Sequence, residues 1–276
     1  MTEGGEGPIH PTAVVAPEAA VAAGARIGPY AVVGPEVRLG AGAEIGAHAV
    51  LEGRVVVGAR TRIGHGAAIG GRPQDLKFRD GTVSGVVIGE DTEIREFATV
   101  HRATREGHDT RIGHGCLLMV GSHVGHDCVV GDHVILINAA LLGGHVVVEE
   151  RATIGGLAGL APFVRVGAYA YVGGCSGLNQ DVPPFVLARH HPARAYGVNV
   201  IGMRRAGIEA ADRRRIQDAF RVLYRSGLTP RAAVDRLRAE LAGHPLVDRL
   251  IAFIESTRVG IVKPAPGSGS DEEDAA

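Results

Sequence analysis

The chain of 276 residues has no tryptophan, and aromatic residues make up only 4% of it. A globular core normally uses large aromatic side chains to fill irregular gaps. The sequence instead has 41 glycines, and 45% of its residues are hydrophobic. This composition predicts a regular interior of small, stacked aliphatic side chains.

Cysteine is also scarce: three residues, with no Cys-x-x-Cys pair of the metal-binding type. An odd number of cysteines favours a reducing compartment over a disulfide framework. The net charge of −1 indicates no general attraction to nucleic acid or to a membrane surface. There is no run of 18 apolar residues, and the first residues lack the apolar segment of a signal peptide. These absences predict a soluble cytoplasmic protein without a membrane-inserted segment.

An aliphatic residue recurs at every sixth position along most of the chain. Isoleucine, leucine or valine occupies each sixth residue from Ile27 to Ile69 and again from Ile112 to Leu178, and glycine often follows. A period of six fits neither an amphipathic helix nor simple strand alternation. It suits a solenoid in which each short strand pairs with the next coil and glycine permits the turns. We therefore predict a parallel β-helix over residues 9–190.

The repeat also divides the chain into segments. Interruptions at residues 71–87 and 102–111 predict loops that leave the scaffold. Beyond the hexads, helical apolar spacing and the pair Thr229-Pro230 predict an α-helical C-terminal domain over residues 191–262. We expect a flexible N-terminus at residues 1–8. The tail at 263–276, rich in Pro, Gly and Ser and then acidic, is expected to be disordered.

The hexads resemble those of the hexapeptide-repeat transferases. Their period alone fixes neither the number of hexads in a coil nor the hand of the helix. The resemblance implies three hexads, or 18 residues, per coil and a left-handed sense.

Titratable residues gather at residues 123–128 and 143–145. With an 18-residue coil, His126 lies beside Gly144 on the next coil, and Asp127 lies beside His145. An imidazole next to a backbone N–H offers a general base beside an oxyanion donor, which is what acyl transfer needs. A lone surface histidine is more often structural, but three in one patch, with His123, favour a functional site.

Several motifs resemble those of the acyl-carrier-protein:UDP-N-acetylglucosamine O-acyltransferases, over residues 9–260. The hexads alone are shared by many transferases, whereas the motifs at 123–128, 173–177 and 180–184 are together specific. The matching motifs are Gln-Asp-Leu-Lys at 74–77, Ile-Arg-Glu at 94–96 leading to His101-Arg102, the stretch from His123 to Cys128, Gly-Gly-Cys-Ser-Gly at 173–177, Gln-Asp-Val-Pro-Pro at 180–184, Gly-Val-Asn at 197–199 and Gly-Met-Arg-Arg at 202–205.

This resemblance implies a homotrimer with active sites between neighbouring β-helices. It implies transfer of a 3-hydroxyacyl chain from acyl carrier protein to the 3-hydroxyl of UDP-N-acetylglucosamine, the first step of lipid A biosynthesis. His126 would be the general base, Asp127 would support it, and the N–H of Gly144 would stabilise the oxyanion. No metal or cofactor is expected.

The resemblance also assigns residues to the substrates. The acidic carrier protein would suit the C-terminal helices, where residues 200–260 hold twelve arginines against seven acidic residues. Gly174 matches the place where a bulkier side chain would shorten the acyl pocket. The residues expected to hold the sugar, phosphates and nucleotide are Gln74, Asp75, Lys77, His123, His145, Asn199 and Arg205.

Three places depart from the family pattern. Ala161-Pro162 stand where the family usually has His-Gln, Ile201 where Glu is common, and Ala206 where a basic residue is usual. The missing polar groups would normally help bind the sugar nucleotide or the acyl chain. A 3-amino sugar nucleotide, acylated to an amide, therefore stays open as an alternative acceptor.

Three rival interpretations stay open. The lipid A N-acyltransferase of the next glucosamine step has a separate N-terminal domain, for which hexads beginning at Ile9 are expected to leave no room. A gamma-class carbonic anhydrase would bind zinc through three histidines such as His101, His123 and His126. Two ligands only three residues apart across a turn fit a tetrahedral site poorly. The third rival is an inactive solenoid scaffold.

Overall fold

The computed structural model describes residues 8–266, and most of them form a parallel β-helix. Its strands are short, commonly two residues, because each spans one flat side of a three-sided coil. In chain order the strands are β1 (Val14–Val15), β2 (Ala20–Val21), β3 (Arg26–Ile27), β4 (Val32–Val33), β5 (Val37–Leu39), β6 (Glu44–Ile45), β7 (Val50–Leu51), β8 (Arg54–Val57), β9 (Arg62–Ile63), β10 (Ala68–Gly71), β11 (Gly85–Ile88), β12 (Glu93–Ile94), β13 (Thr99–His101), β14 (Asp109–Ile112), β15 (Leu117–Leu118), β16 (His123–Val124), β17 (Val129–Val130), β18 (Ile135–Leu136), β19 (Leu141–Leu142), β20 (Val147–Val148), β21 (Thr153–Ile154), β22 (Gly159–Leu160), β23 (Arg165–Val166), β24 (Tyr171–Val172), β25 (Gly177–Leu178), β26 (Val186–Arg189), β27 (Arg194–Val198) and β28 (Lys263–Pro264).

Every third strand along the β-helix joins the same sheet. Within residues 8–266 the three sheets have nine, eight and eleven strands, starting from β1, β2 and β3. Val14 pairs with Val32, and His123 pairs with Leu141, each eighteen residues further on. A regular coil therefore holds three hexads, as the resemblance to the hexapeptide-repeat transferases implies.

The interior is built from two positions of each hexad. The repeated aliphatic residue is buried, as at Leu136 and Leu142, both 0% exposed. The residue two positions earlier also points inward, because side chains alternate along a strand, and it is often alanine or valine, as at Ala140 and Val134. Two small inward side chains per hexad fill the coil, which explains why the sequence can do without large aromatics.

Glycine after the aliphatic residue is required by close packing of coils. A Cβ added to Gly58 would lie 2.5 Å from the backbone N of Glu90 on the next coil, and one added to Gly155 would lie 2.4 Å from the N of Gly174. The left-handed turn position is a different one, often occupied by larger residues such as Phe97 (φ 57°) and Asp127 (φ 59°). The hexad glycines thus mainly allow backbone contact between coils.

Two excursions leave the coils, at residues 72–84 and 102–108. They are shorter than the interruptions at 71–87 and 102–111 in the hexad pattern, because β11 and β14 pair along four residues each. The pairing offset widens to 31 residues between Ile69 and Val100, and to 24 between Val100 and Val124. Both excursions therefore emerge close to β13 and β16.

The C-terminal region packs helices against the end of the β-helix. Helix α3 begins as predicted after Thr229, whose side chain accepts a hydrogen bond from the N–H of Ala232, with Pro230 in the first turn. Inward faces of the helices form a shared core that includes Ile216 and Leu250. The helices are α1 (Val200–Arg205), α2 (Ala210–Arg225), α3 (Pro230–Leu241) and α4 (Pro245–Glu255).

The predicted boundaries of this region need two corrections. Residues 194–198 are not helical but form β27, which pairs antiparallel with β26 and so extends a β-helix sheet. The start of the predicted disordered tail, Lys263–Pro264, is strand β28, which pairs with β27. Backbone hydrogen bonding to β27 orders it despite its composition. The rest of that tail, residues 267–276, and residues 1–7 of the predicted flexible N-terminus lie outside the described residues.

Charged groups join the helices to the β-helix. Arg249 of α4 forms an ion pair with Glu150, and the Arg165 guanidinium stacks 4.3 Å above the Phe253 ring. None of the helices in the described part of the chain has the length and apolar character needed to cross a bilayer.

Replacing Ile63 by alanine tests the stacked core. Ile63 is 2% exposed and lies between Ile45 and Ile94 of the neighbouring coils. We expect Ile63→Ala to lower the free energy of unfolding by about 2–5 kcal/mol, because the cavity loses contacts in both directions. Denaturant unfolding measures this loss. Arg62→Ala, on the outward face of the same strand, is the control, and an equal effect of both substitutions would contradict the assignment of the core.

Candidate active site

The turn between β16 and β17 carries a hydrogen-bonded His-Asp pair. His126 Nδ1 lies 2.8 Å from Asp127 Oδ2, and the two side chains are 14% and 9% exposed. Because an ionised carboxylate only accepts hydrogen bonds, Nδ1 is the donor in this pair, which leaves Nε2 with its lone pair in the neutral imidazole. The backbone N–H of Asp127 donates to Thr110 Oγ1 (2.9 Å), which fastens the turn to the preceding coil.

The Asp127 carboxylate has further partners. Thr104 donates to Asp127 Oδ2 through both its hydroxyl (2.7 Å) and its backbone N–H (3.1 Å), and His145 Nε2 lies 3.7 Å away. Burial raises the pKa of Asp127, but the hydrogen bonds from Thr104 and His126 outweigh it and lower the pKa below its ordinary value. The carboxylate is therefore held in its ionised form.

Gly144 lies directly against the His126 ring. A Cβ added to Gly144 would be 2.5 Å from both Cε1 and Nε2 of His126, so any larger residue there would displace the His126 ring. The predicted adjacency of His126 and Gly144 on neighbouring coils is thus present in the structure. Within residues 8–266 the N–H of Gly144 donates no hydrogen bond.

The free N–H of Gly144 contrasts with the N–H groups of Ala47, Glu90 and His114 at equivalent turns. The N–H of Ala47 donates to His65 Nδ1, and the N–H of His114 donates to Asp132 Oδ1, each partner lying eighteen residues further on. The residue eighteen positions after Gly144 is Pro162, which has no acceptor in its side chain. A donor with no internal partner therefore remains beside His126 Nε2.

Two more histidines lie close to His126. His101 and His123 pack edge to face with ring centroids 4.9 Å apart, and a 2.7 Å hydrogen bond joins His123 Nδ1 and Thr99 Oγ1. Burial and then the nearby His101 and His126 lower the pKa of His123 to about 4. Burial also lowers the pKa of His101. Both imidazoles are consequently neutral at physiological pH.

His145 contacts two aromatic rings, one on each side. It packs edge to face on His126 (5.1 Å) and stacks flat on Phe163 (4.6 Å, 4°). Burial lowers the pKa of His145, and the opposing effect of Asp127 is smaller. The predicted neighbours Asp127 and His145 therefore form one assembly with His126.

An open cavity of about 790 Å³ is lined by the histidines His101, His123 and His126. Of the predicted substrate-binding residues, Gln74 and His123 line it, together with His126 and Gly144. The departure noted in the sequence, Ala161-Pro162, also lines it, beside Leu141 and Leu142. The cavity thus combines imidazole and backbone groups with an apolar side.

The other predicted substrate-binding residues lie outside that lining. Asp75 accepts a hydrogen bond from the N–H of Lys77 within the 72–84 excursion. Its carboxylate is near enough to His145 to raise the pKa of that imidazole slightly, against the larger effect of burial. Gly174 lies beside the carbonyl of Gly156, 3.2 Å from where a Cβ would be.

Asn199 and Arg205 belong to the C-terminal region. Asn199 donates to the Tyr169 carbonyl and caps α1 through the N–H of Gly202. Arg205 is in the last turn of α1, one helical turn from the exposed Ile201. One copy of the chain does not bring these two residues to the cavity.

Sequence reasoning missed Thr104. It lies in the 102–108 excursion, where the hexad period gives no position to count from. The signal available in the sequence was the interruption of the hexad pattern. The chain rejoins the β-helix after this interruption, shortly before the coil that carries His126.

The metal-binding alternative can be compared with the side-chain geometry. In the part of the chain that the structure describes, the group able to reach one ion is His126, Asp127 and His145, with ligand atoms within 4.8 Å of one another. This group differs from the trio His101, His123 and His126 considered from the sequence. Its Nδ1–Oδ2 separation of 2.8 Å is that of a hydrogen bond.

The chain is similar to a family model and to curated relatives. Residues 181–262 match the model described as UDP N-acetylglucosamine O-acyltransferase, domain 2. The acyl-[acyl-carrier-protein]–UDP-N-acetylglucosamine O-acyltransferase of Myxococcus xanthus is 43% identical over 192 residues, covering 69% of this chain and 74% of the relative. The enzyme of the same name from Anaeromyxobacter sp. strain K is 45% identical over 194 residues, covering 70% and 75%.

Solved structures agree over nearly the whole chain. LpxA from Acinetobacter baumannii superposes with a TM-score of 0.89 at 37% identity, covering 93% of this chain and 100% of that one. UDP-N-acetylglucosamine acyltransferase from Campylobacter jejuni gives 0.88 at 34% identity, covering 93% and 100%.

These similarities confirm the predicted fold class, a left-handed parallel β-helix followed by an α-helical C-terminal region. They also confirm the family resemblance that the sequence motifs indicate. The chain belongs to the acyl-[acyl-carrier-protein]–UDP-N-acetylglucosamine O-acyltransferase family and is an acyltransferase.

Proposed function

We propose that the protein transfers a 3-hydroxyacyl chain from acyl carrier protein to the 3-hydroxyl of UDP-N-acetylglucosamine, the first step of lipid A biosynthesis. The observation that carries the proposal is the arrangement of His126, with Nδ1 on Asp127 and Nε2 beside Gly144, whose N–H is unbonded. Family membership supports the same reaction.

In this mechanism the oxygen of the sugar 3-hydroxyl attacks the thioester carbonyl while His126 Nε2 removes the proton from that hydroxyl. The N–H of Gly144 donates to the oxyanion of the tetrahedral intermediate. The intermediate then expels the carrier-protein thiolate, which takes the proton from His126 Nε2. The products are the 3-O-acyl sugar nucleotide and free carrier-protein thiol. Asp127 stays ionised and stabilises the imidazolium.

Neutral imidazoles suit the rest of the acceptor site. His123 and His145 have lowered pKa values because they are buried, so they can exchange hydrogen bonds with sugar hydroxyls without adding charge. Asp75 and Lys77 lie on the exposed 72–84 excursion and are assigned, with Gln74, to the sugar and phosphates. Gly174 is assigned to the acyl pocket, where it leaves room for a long chain.

A homotrimer would complete this site. Exposed apolar side chains lie along one corner of the β-helix, including Tyr30, Phe97 and Leu157 at equivalent turns. Leu141, 48% exposed, lies on the adjoining sheet next to His123. Such a surface favours burial by another copy. The neighbouring copy would supply Asn199 and Arg205 to the nucleotide.

The acyl carrier protein is assigned to the helical C-terminal region. Several arginines of α2 and α3 are exposed, including Arg214, Arg215 and Arg231. A positive surface of this kind steers an acidic partner and sets its orientation.

A second acceptor is supported by one observation. Ala161 and Pro162 line the cavity where the family pattern has polar side chains. A 3-amino sugar nucleotide, acylated to an amide, is therefore the alternative acceptor.

Both acceptors should be offered with hydroxyacyl chains of several lengths, and the higher kcat/KM identifies the substrate. Activity with neither would instead favour an inactive scaffold.

Replacing His126 by alanine tests the general base. We expect His126→Ala to lower kcat by at least about 100-fold in a radiolabelled acyl-transfer assay, which is the usual contribution of general base catalysis. The control is His133→Ala, an exposed histidine at another turn. Undiminished activity of His126→Ala would refute the assignment. Stoichiometric zinc in the active protein, with activity lost on chelation, would favour a metal mechanism.

Replacing Pro162 by aspartate tests the oxyanion donor. By analogy with Asp132, which accepts the N–H of His114, an aspartate at 162 should accept the N–H of Gly144 and so compete with the oxyanion. We expect kcat to fall about 100-fold or more, since one oxyanion donor contributes about 10²–10³. Pro162→Ala, which adds no acceptor, should lose much less. Equal activity of the two variants would argue against Gly144 as the donor.

The neutral state of His123 predicts a pH window for stability. Its pKa falls from 6.5 to about 4 on folding, so the unfolded chain binds the proton first as the pH drops. The contribution of neutral His123 to the free energy of unfolding is complete above pH 6.5 and is lost as the pH falls towards 4. The contribution of ionised Asp127 is lost only below its ordinary pKa of 3.8. Between pH 7.5 and 5, the wild-type Tm should fall about 2–4 °C more than that of His123→Gln. Parallel Tm curves would contradict this.

A further inference from the structure

The 102–108 excursion places two donors on the carboxylate that supports the base. Thr104 Oγ1 and the N–H of Thr104 both donate to Asp127 Oδ2, the same atom that accepts from His126 Nδ1. Three donors converging on one oxygen fix where that oxygen lies. Asp127 itself has no other bond from the excursion in the described residues.

The excursion is held firmly enough to act as a support. Ala103, 0% exposed, donates its N–H to the Gly85 carbonyl (3.3 Å) and accepts from Ser84 Oγ (2.5 Å). The N–H of Gly107 donates to the Val83 carbonyl (2.8 Å). Thr104 is thus flanked on both sides by residues bonded to the segment that enters β11.

A further contact ties this excursion to the one at 72–84. Arg102 donates to the Gly70 carbonyl (3.1 Å), and its guanidinium lies 5.4 Å from the centroid of the Phe78 ring. Phe78, 6% exposed, anchors the segment that carries Asp75 and Lys77. The support of the base and the proposed sugar-binding segment therefore share one packed unit.

We infer that Thr104 is a positioning residue for acyl transfer: it holds the Asp127 carboxylate so that Nδ1–H of His126 points to it and Nε2 faces Gly144. This inference rests on the proposed function. Thr104 touches neither substrate nor the reacting atoms in the mechanism above and acts through Asp127.

Removing the hydroxyl tests this role. Thr104→Val keeps the volume and the backbone donor but removes Oγ1, whereas Thr104→Ser keeps the hydroxyl. We expect kcat of Thr104→Val to fall roughly tenfold, in keeping with one hydrogen bond to a charged group. KM for the sugar nucleotide should stay within about twofold, because the bond is not part of substrate binding. Thr104→Ser should recover most of the wild-type kcat.

Thr257 supplies a matched control away from the site. Its Oγ1 donates to Oδ2 of Asp181 (2.6 Å), a carboxylate only 1% exposed. Thr257→Val therefore removes the same kind of bond to a buried aspartate, and thermal unfolding compares its cost with that of Thr104→Val. We expect Thr257→Val to keep the wild-type kcat even if its Tm falls by more.

Three results would overturn the inference: wild-type kcat in Thr104→Val, a kcat of Thr104→Ser as low as that of Thr104→Val, or an equal loss of kcat in Thr257→Val. Absence of acyl transfer by the wild type with either acceptor would instead refute the proposed function. In that case crystal structures of the wild type and Thr104→Val test whether Thr104 holds the Asp127 carboxylate against His126. An Asp127 carboxylate that turns away from His126 in the variant supports it, and one that does not move overturns it.

Discussion

The stacking of one coil on the next constrains the rest of the structure. In the regular coils each strand donates and accepts backbone hydrogen bonds with the strands eighteen residues away, so a shift by one residue would turn every inward side chain outward. The register that buries Val124 under Leu142 also sets His126 beside Gly144. The positions of the catalytic neighbours along the chain are therefore fixed, in our proposal, by the same hydrogen bonds that form the core.

Coil stacking also limits what the scaffold can offer, because its turns are short and its outward positions are repetitive. The two excursions at 72–84 and 102–108 escape this limit near the same coils. One of them brings Thr104 to Asp127, and they pack on each other through Arg102 and Phe78. Side chains that must meet at angles outside the coil repeat come from these segments.

The sequence predicted those parts of the fold that the period of six determines. The buried series that includes Ile63 and Leu136 follows from counting, and the proximity of Asp127 to His145 follows once the family resemblance supplies the 18-residue coil. Composition misled at Lys263–Pro264, since pairing with β27 depends on a strand distant in sequence. Thr104 could not be placed because an excursion has no period. Periodicity therefore predicts contacts between coils, whereas contacts made by excursions require coordinates.

The departure at Pro162 can be understood from the same coil geometry. At the turns of Ala47 and His114, a side chain from the next coil accepts the N–H that corresponds to that of Gly144. A proline at 162 provides no such acceptor and leaves the donor available to an incoming oxyanion. The change from the family pattern thus removes a polar group from the acceptor side of the cavity while preserving the group assigned to the transition state. Such a change is expected to alter which sugar is acylated more than whether acylation occurs.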